Sequence, residues 1–320
     1  MPRRPCARPK LKAVDEFALI RRYFDRAIQV TGVATGIGDD GAVLQPAPGK
    51  ELVTVIDTLV EDVHFPSGFS PADVGYRVVA VNLSDIAAMG ANPRWMSLAL
   101  SLNSASADWL EAFAEGMFAA AAEQNVALVG GDTTHASQVV ATVQITGEVD
   151  EGSAILRSGA TAGSTVYVTG AVGDAAAGLY GLINGDPVKE LVSRFARPSA
   201  RVDYGQKLIG VADAAIDLSD GLYADLNKLL IASGVGAEID IGRLPISDAL
   251  AAAFTIERQH SFALGGGDDY ELCFTALGEL PDPGVMPVTA IGTVTETTGL
   301  VCKLDGDVVP FDDSGYRHFQ

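Results

Sequence analysis

Acidic side chains recur beside glycine, or inside apolar runs, in six short stretches of this sequence. The stretches are Gly36–Gly41, Val55–Thr58, Asn82–Gly90, Gly130–Thr134, Ile216–Gly221 and Gly266–Glu271. An ionised carboxylate in such surroundings is costly unless it is paired, and the chain has too few bases near these acids to neutralise them all. Hard divalent cations with oxygen ligands are the natural counter-charge, and several cations together usually accompany a polyphosphate substrate.

The first stretch, Gly36-Ile37-Gly38-Asp39-Asp40-Gly41, is a glycine-rich loop that precedes a strand-like run. Its glycines allow a tight turn and the close approach of backbone N–H groups to phosphate oxygens. Asp39 and Asp40 point to different sides, so they can serve two ions, or one ion and one structural hydrogen bond. The alternative is an ordinary Asp-Gly turn, and this short motif alone does not separate the two.

Two acids complete apolar faces in the first half of the chain. Asp57 ends a strand in which it shares a face with Val53 and Val55, a placement typical of a metal ligand but also of a turn or helix cap. Asp85 extends a buried helical stripe that includes Val78 and Val81. It lies near the C-terminal end of that helix, where the dipole disfavours an anion, so we favour a metal ligand there.

Two further acids follow apolar strands. Asp132 comes after Val126–Val129 and Asp217 ends Ala214–Asp217, which places both at carboxyl ends of strands, where α/β proteins usually bind ligands. Ser219 and Asp220 are alternatively the cap of a helix that begins near Leu222.

Two isolated basic or titratable residues stand near these acids in the sequence. Arg157, beside Gly159 in a loop, offers a fork of donors that suits a phosphate, although an exposed Arg is usually only solvated. His64 follows Asp57 closely, and a lone His is more often structural than catalytic.

Composition limits the class of protein. The 320 residues carry a formal net charge of −19, which argues against binding a nucleic-acid backbone. No apolar run approaches the ~20 residues needed to span a bilayer, and the basic arm, residues 1–12, lacks a secretory signal and is expected to be disordered. The three scattered cysteines (Cys6, Cys273 and Cys302) suggest reduced thiols in a cytoplasmic protein, with Cys273 in the core.

Periodicity predicts an α/β chain in two domains, with a boundary near Asp150 that separates residues 13–150 from residues 151–320. The predicted helices are Asp15–Ile28, Pro71–Met89, Ala107–Glu123, Gly173–Ile183, Lys189–Phe195, Ala200–Ile209 and Tyr223–Ala232. The predicted strands are Ala42–Leu44, Leu52–Asp57, Trp95–Leu102, Val126–Val129, Val139–Val149, Thr165–Thr169, Ala214–Asp217, Ala237–Ile241, Glu271–Thr275, Val288–Ile291 and Val301–Leu304.

Taken in order, these motifs resemble the thiamine-monophosphate kinases, a family of the aminoimidazole-ribonucleotide-synthetase-like superfamily. The motifs that carry the resemblance are Gly36–Asp40, Asp57–Val60, Asn82–Ala91, Gly130–Thr134, Arg157–Ala160, Val168–Gly178, Ile216–Leu222, Gly266–Leu272 and Gly315–Phe319. Each motif is weak alone, but the ordered set is specific and covers nearly the whole chain after about the first ten residues. The resemblance implies a two-domain α/β (α+β) fold whose N-terminal strands pair across a homodimer.

The resemblance also implies a reaction and a set of site residues. The expected reaction is ATP-dependent phosphorylation of thiamine monophosphate to thiamine diphosphate, by direct in-line transfer with several Mg²⁺ ions. The implied magnesium ligands are Asp40, Asp57, Asp85, Asp132, Asp217 and Asp220, of which Asp85 and Asp220 are also expected to be catalytic. The implied ATP contacts are Gly131, Asp132, Arg157 and Ser219, and the implied substrate contacts are His64, Asp268 and Tyr316.

Two positions depart from the family pattern. Asp268 stands where the family usually has Glu, and Ile56 stands where a hydroxyl residue usually precedes the strand-end acid. Another member of the superfamily is an alternative, although Cys6 does not resemble the reactive residue of a selenophosphate synthetase, and the chain does not end in the cysteine of a hydrogenase-maturation protein. A non-catalytic nucleotide- or calcium-binding protein is the alternative from another class.

Overall fold

The computed structural model describes residues 16–26, 31–104 and 106–311. The predicted arm at residues 1–12 lies outside them, as do Cys6 and Tyr316. The first helix, α1 (Glu16–Tyr23), occupies part of the predicted Asp15–Ile28 helix. A small antiparallel pair follows, made of β1 (Val33–Thr35) and β2 (Val43–Leu44).

A four-stranded sheet forms the first half. Its strands, in spatial order, are β3 (Lys50–Val60), β6 (Val140–Asp150), β4 (Asn92–Leu102) and β5 (Ala127–His135). Only the β4–β5 pair is parallel within this sheet. Strand β3 alternates as its sequence predicts, because Val53 and Leu59 are buried while Leu52 and Ile56 are exposed.

Two helices, α2 (Pro71–Ala88) and α3 (Ala107–Glu123), pack with that sheet. Helix α2 begins as expected, since the Ser70 hydroxyl accepts a hydrogen bond from the N–H of Asp73 (3.4 Å) and Pro71 occupies the first turn. The two helices approach so closely that a Cβ added at Gly116 would lie 1.8 Å from the Ala72 carbonyl oxygen. Only glycine fits at that contact.

A seven-stranded mixed sheet forms the second half. Its strands, in spatial order, are β13 (Asp307–Val308), β12 (Gly299–Leu304), β9 (Gly236–Asp240), β11 (Val288–Thr295), β7 (Thr165–Thr169), β10 (Leu272–Ala276) and β8 (Ala214–Asp217). Its helices are α4 (Asp174–Asn184), α5 (Lys189–Ala196), α6 (Val202–Lys207), α7 (Leu222–Ser233), α8 (Asp248–Ala253) and α9 (Ile256–Gly265), with a 3₁₀ turn at Ile241–Arg243.

Helix α2 is the element that joins the halves. It packs on β3 and β6 of the first sheet and also on α5, α6, β8 and β10 of the second half. One continuous apolar cluster includes Val78 and Ile86 of α2 together with Phe274 of β10 and Tyr204 of α6. Side chains on α2 are therefore held firmly against the second half of the chain.

The helices that the structure describes include none long and apolar enough to cross a membrane. Cys273 is buried in the second core, as expected from its sequence context.

Candidate active site

Three aspartates that are distant in sequence meet where β3, α2 and β8 come together. Asp57 lies on β3, Asp85 in the last turn of α2, and Asp217 at the end of β8. The carboxyl group of Asp85 lies close enough to those of Asp57 and Asp217 to interact with both, and Asp220 contributes to the negative field at Asp57. We call these four residues the acidic cluster; it draws on both halves of the chain.

Three members of the acidic cluster, Asp57, Asp85 and Asp217, repel one another, whereas Asp220 is paired with Lys228. Burial, reinforced by the charge of Asp217, raises the pKa of Asp57 to about 6. Burial and the charge of Asp57 raise the pKa of Asp85 to about 7, although Arg157 acts in the opposite direction. Burial and the charge of Asp85 raise the pKa of Asp217 well above its usual range. Such neighbouring carboxyls resist full ionisation together, so a cation beside them would be strongly favoured.

The donor chemistry of the acidic cluster fits Mg²⁺, which prefers oxygen ligands. Among the residues that the structure describes, no three His, Cys, Asp or Glu side chains are close enough to hold a metal ion by themselves. Mg²⁺ usually takes one or two carboxylates and completes its coordination with water and substrate phosphate oxygens, not with an all-protein cage. The arrangement therefore fits metal bound together with a phosphorylated ligand.

The loop between β8 and α7 is held by a carboxylate on α7. Asp225, which is buried, accepts hydrogen bonds from the N–H groups of Ser219 and Asp220, each at 2.9 Å. Lys228 donates to Asp225 (2.8 Å) and to Asp220. The side chains of Ser219 and Asp220 do not cap α7, whose cap residue is Gly221. The alternative prediction that Ser219 and Asp220 cap α7 was wrong, because Asp225 of α7 instead holds the loop that contains them.

Asp40, Gly131 and Asp132 line a cavity of about 620 Å³ between the glycine-rich loop, α1 and the strands β4 and β5. Asp40 and Asp132 are exposed to it, and Arg21 of α1 lines the same space. Asp39 accepts a hydrogen bond from the Asp40 N–H (2.8 Å), which is a structural bond of the kind expected for one member of this pair.

Two of the predicted strand ends were placed too early. Strand β3 continues to Val60, so Asp57 lies within the strand, and β5 continues through Gly131 and Asp132 to His135. Glycine is required at position 131 because an added Cβ would lie 1.9 Å from the Leu98 carbonyl oxygen. Strand β5 pairs with β4 through a register shift between Met96 and Ser97. The glycines of β5 suggested a turn, so the continuation of this strand was not predicted from the sequence.

Each acid of the Gly266–Glu271 stretch has a protein partner. Asp268 forms an ion pair with Arg77 of α2. Asp269 accepts hydrogen bonds from the N–H groups that begin α4, at Gly173 (2.6 Å) and Ala175 (3.2 Å). Glu271 is fully buried between Arg194 and Arg201, and it also accepts from the Thr169 hydroxyl (2.7 Å). Asp269 and Glu271 are therefore structural, and only Asp268 is part-exposed.

The remaining predicted residues lie as follows. The Nδ1 atom of His64 accepts a hydrogen bond from the Val60 N–H (3.0 Å), so this nitrogen has a structural role. Arg157 is exposed, and its charge acts on both Asp85 and Asp217. Tyr316 lies outside the described residues. Ile56 is 64% exposed on the opposite face of β3 from Asp57, so its side chain takes no part in the cluster.

Sequence reasoning missed three residues around the site: Asp225, Lys228 and Arg77. A signal was present for two of them. Asp225 falls on the buried stripe of α7 with Leu222 and Leu226, and Arg77 is the lone base in the apolar centre of α2. A charge on an apolar stripe requires a partner. Lys228 carries no such signal because it is half-exposed.

Comparisons with known proteins agree with this architecture. The family described as AIR synthase related protein, N-terminal domain, matches residues 38–149, and its C-terminal counterpart matches residues 161–305. Thiamine-monophosphate kinase of Salmonella typhimurium (strain LT2) is 45% identical over 96% of this chain and 99% of its own length. The enzyme of the same name from Escherichia coli (strain K12) has the same identity and coverage.

Solved structures of thiamine-monophosphate kinases also resemble this chain. The crystal structure of thiamine-monophosphate kinase from Stenotrophomonas maltophilia K279a superposes with a TM-score of 0.85 at 41% identity, covering 92% of this chain and 98% of that one. AaThiL complexed with AMPPCP and TMP superposes with a TM-score of 0.78 at 33% identity, covering 97% and 99%. The chain, with its two AIR-synthase-related domains, belongs to the thiamine-monophosphate kinase family.

Proposed function

We propose that this protein transfers the γ-phosphoryl group of ATP to thiamine monophosphate, forming thiamine diphosphate and ADP. The observation that carries the proposal is the acidic cluster, in which Asp57 and Asp85 of one half face Asp217 and Asp220 of the other. Membership of the family supports the choice of substrates, since its members carry the name of this kinase and AaThiL was solved with AMPPCP and TMP.

The chemistry of this transfer demands mainly placement and charge neutralisation. Both reactants are anions, and repulsion between their phosphates is the chief obstacle to in-line approach. The acceptor phosphate is already ionised near neutral pH, so it needs no strong base, and no phosphoenzyme is required. Arg157, whose charge already acts on Asp85 and Asp217, reduces the repulsion from one side.

We further propose that Asp40, Asp57, Asp85, Asp132, Asp217 and Asp220 hold the magnesium ions. Mg²⁺ held by these carboxylates would neutralise the charge of the phosphate groups. Asp85 and Asp220 are the catalytic members of this set, because the first lies at the centre of the acidic cluster and the second on the loop that Asp225 fixes.

We propose one set of contact residues for the nucleotide and another for the acceptor. Gly131 and Asp132 in the cavity, together with Arg157 and Ser219, are proposed to contact ATP. Asp268 is proposed to contact the cationic thiamine moiety, with contributions from His64 and Tyr316.

The homodimer remains part of the proposal. Leu52 and Ile56 form an exposed apolar pair on the outer face of β3, which supports pairing there with a second copy of the chain.

The proposal is tested by incubating the purified protein with ATP, Mg²⁺ and thiamine monophosphate and separating the products by chromatography. We expect thiamine diphosphate to form and its formation to stop when EDTA removes the metal. Binding of ATP without any thiamine diphosphate would reject this acceptor and direct the search to other acceptors used in the superfamily.

A further inference from the structure

Arg77 is a fully buried base in the middle of α2, and its contacts lie in the other half of the chain. One terminal nitrogen donates to the Phe195 carbonyl oxygen at the end of α5, and the other donates to Oδ1 of Asp268. Arg77 therefore ties the helix that carries Asp85 to the loop that carries Asp268.

Two aromatic rings fix the orientation of this guanidinium. Its central carbon lies 4.4 Å from the centre of the Phe195 ring and 5.4 Å from that of Tyr270. Both contacts are within the range of cation–π attraction. A planar guanidinium that contacts two rings and donates two hydrogen bonds has little freedom to turn, so the direction in which it presents its N–H groups to Asp268 is set.

The loop that Arg77 contacts has an unusual backbone. Asp268 and Tyr270 have φ angles of 74° and 52°, a region that residues other than glycine rarely adopt. The N–H groups of the same two residues donate to the carbonyl oxygens of Ser219 and Leu218, each at 2.9 Å. The loop is thus pinned against the segment that follows Asp217, next to the acidic cluster. Such strained conformations persist only where surrounding contacts impose them.

One side of the Asp268 carboxylate stays open. Oδ1 accepts from Arg77 and from the Tyr270 hydroxyl (3.5 Å), whereas Oδ2 accepts no hydrogen bond from any residue that the structure describes. The side chain is 29% exposed. A partly exposed carboxylate that is held through one oxygen is suited to accept a hydrogen bond from a ligand through the other, or to face the positive charge of a ligand.

We propose that Arg77 is a positioning residue for the phosphoryl acceptor: it acts through Asp268 to set the affinity for thiamine monophosphate, and not the affinity for ATP. This inference rests on the proposed function. The ligand chemistry is a cationic heteroaromatic group, which an open carboxylate oxygen recognises. If Arg77 acts in this way, replacing it should lower the affinity for thiamine monophosphate only in a protein that still has the Asp268 carboxylate.

A purely structural role explains the contacts less well. A buried ion pair gains little stability over apolar residues of the same volume, because desolvation offsets the attraction. The two halves are also linked by a second pair, Arg197 with Asp73 of α2 at 2.6 Å, in which Arg197 is 47% exposed. That pair supplies a matched control, since it joins α2 to the end of α5 without touching Asp268.

The experiment compares full-length Arg77→Met, Asp268→Asn, the double variant and Arg197→Met. Methionine keeps the apolar contacts with the rings but removes every donor. We expect Arg77→Met to raise the KM for thiamine monophosphate about tenfold or more, as loss of charge-assisted hydrogen bonds implies. The KM for ATP should change less than about twofold. The double variant should be no worse than Asp268→Asn alone, because Arg77 acts through that carboxylate.

Three outcomes decide against the inference. If Arg77→Met leaves the KM for thiamine monophosphate unchanged while wild-type protein is active, Arg77 does not position the acceptor. If the losses in the double variant multiply, Arg77 does not act through Asp268. If Arg197→Met raises the same KM equally, the effect belongs to the junction of the halves and not to Arg77.

Separate controls address misfolding of the variant and inactivity of the wild-type protein. If Arg77→Met does not fold, as judged by circular dichroism, Arg77→Lys replaces it; a lysine keeps the charge but lacks the fork that serves Phe195 and Asp268 together, so the same selective rise in KM is expected. Absence of thiamine diphosphate from wild-type protein would instead overturn the proposed function, and this inference with it.

Discussion

At the scale of single residues, the acidic cluster keeps carboxyl groups together that repel one another. Asp85 lies between Asp57 and Asp217, and burial adds to the cost of its charge. Carboxyl groups arranged in this way lower the stability of the protein but serve its function. Replacing one of them usually raises stability and lowers activity. Asp85 is the clearest position at which to measure that separation.

We expect Asp85→Asn to lower kcat by roughly 10²-fold or more, the range found when one electrostatic contact to a transition state is removed. Its melting temperature should be equal to or above that of the wild type, because a neutral amide relieves repulsion with Asp57 and Asp217. Steady-state kinetics and calorimetry measure the two effects. Asp203→Asn, at an exposed position of α6, serves as the control. Near-normal turnover of Asp85→Asn would remove Asp85 from the ligand set.

At the scale of elements, α2 does most of the positioning. It carries Arg77 and Asp85, and it packs against α3 at a distance that only glycine permits. At Gly75 an added Cβ would lie 2.0 Å from the Phe113 carbonyl oxygen, and at Gly116 it would lie 1.8 Å from that of Ala72. Because the obstacles are backbone atoms, the helices must separate to admit a methyl group.

Gly116→Ala should therefore destabilise the protein by about 1–3 kcal/mol or more through overpacking. This outcome opposes helix propensity, which favours Ala over Gly by roughly 1 kcal/mol. Denaturant unfolding measures the change in the free energy of unfolding. Glu115→Ala, on the exposed side of the same helix, should change it by less than about 0.5 kcal/mol. A stabilised Gly116→Ala protein would show that the close helix contact is not maintained in solution.

At the scale of the whole molecule, the acidic cluster makes stability depend on pH and on bound cations. Asp57 and Asp85 have pKa values raised to about 6 and about 7, whereas an unfolded aspartate titrates near about 3.9. The folded protein thus binds more protons than the unfolded chain between these values. Stability falls with rising pH where the native state binds more protons than the unfolded chain. The stability that Asp57 and Asp85 contribute is therefore present at about pH 4 and is lost by about pH 7 to 8.

We expect the melting temperature in EDTA to fall more steeply between pH 5 and pH 8 for the wild type than for Asp57→Asn, because the variant lacks one titrating member. Added Mg²⁺ should raise the wild-type melting temperature more at pH 8 than at pH 5, since ionised carboxylates bind it better. Scanning calorimetry at both pH values provides the comparison. Equal slopes for the two proteins would contradict the raised pKa of Asp57.

Local order along the chain was predictable from the sequence where pattern and chemistry were strong. The bounds of α3 and β7 match the predictions, and α2 ends within one residue of its predicted end. The short helices α8 and α9 were missed, because short helices depend on tertiary packing more than on their own propensity. The prediction ended strand β5 before Gly130-Gly131, because glycine usually marks a turn, whereas the strand continues to His135.

The sequence by itself determined the residue types: aspartates in apolar and glycine-rich settings, too few bases near them, and an ordered set of motifs typical of one family. Only the tertiary structure decided which of these acids need a cation and which already have a partner. Asp57, Asp85 and Asp217 meet without sufficient positive charge, whereas Asp268 is paired with Arg77, 191 positions away. Charge compensation depends on distance in space, and long-range packing of α2 sets that distance.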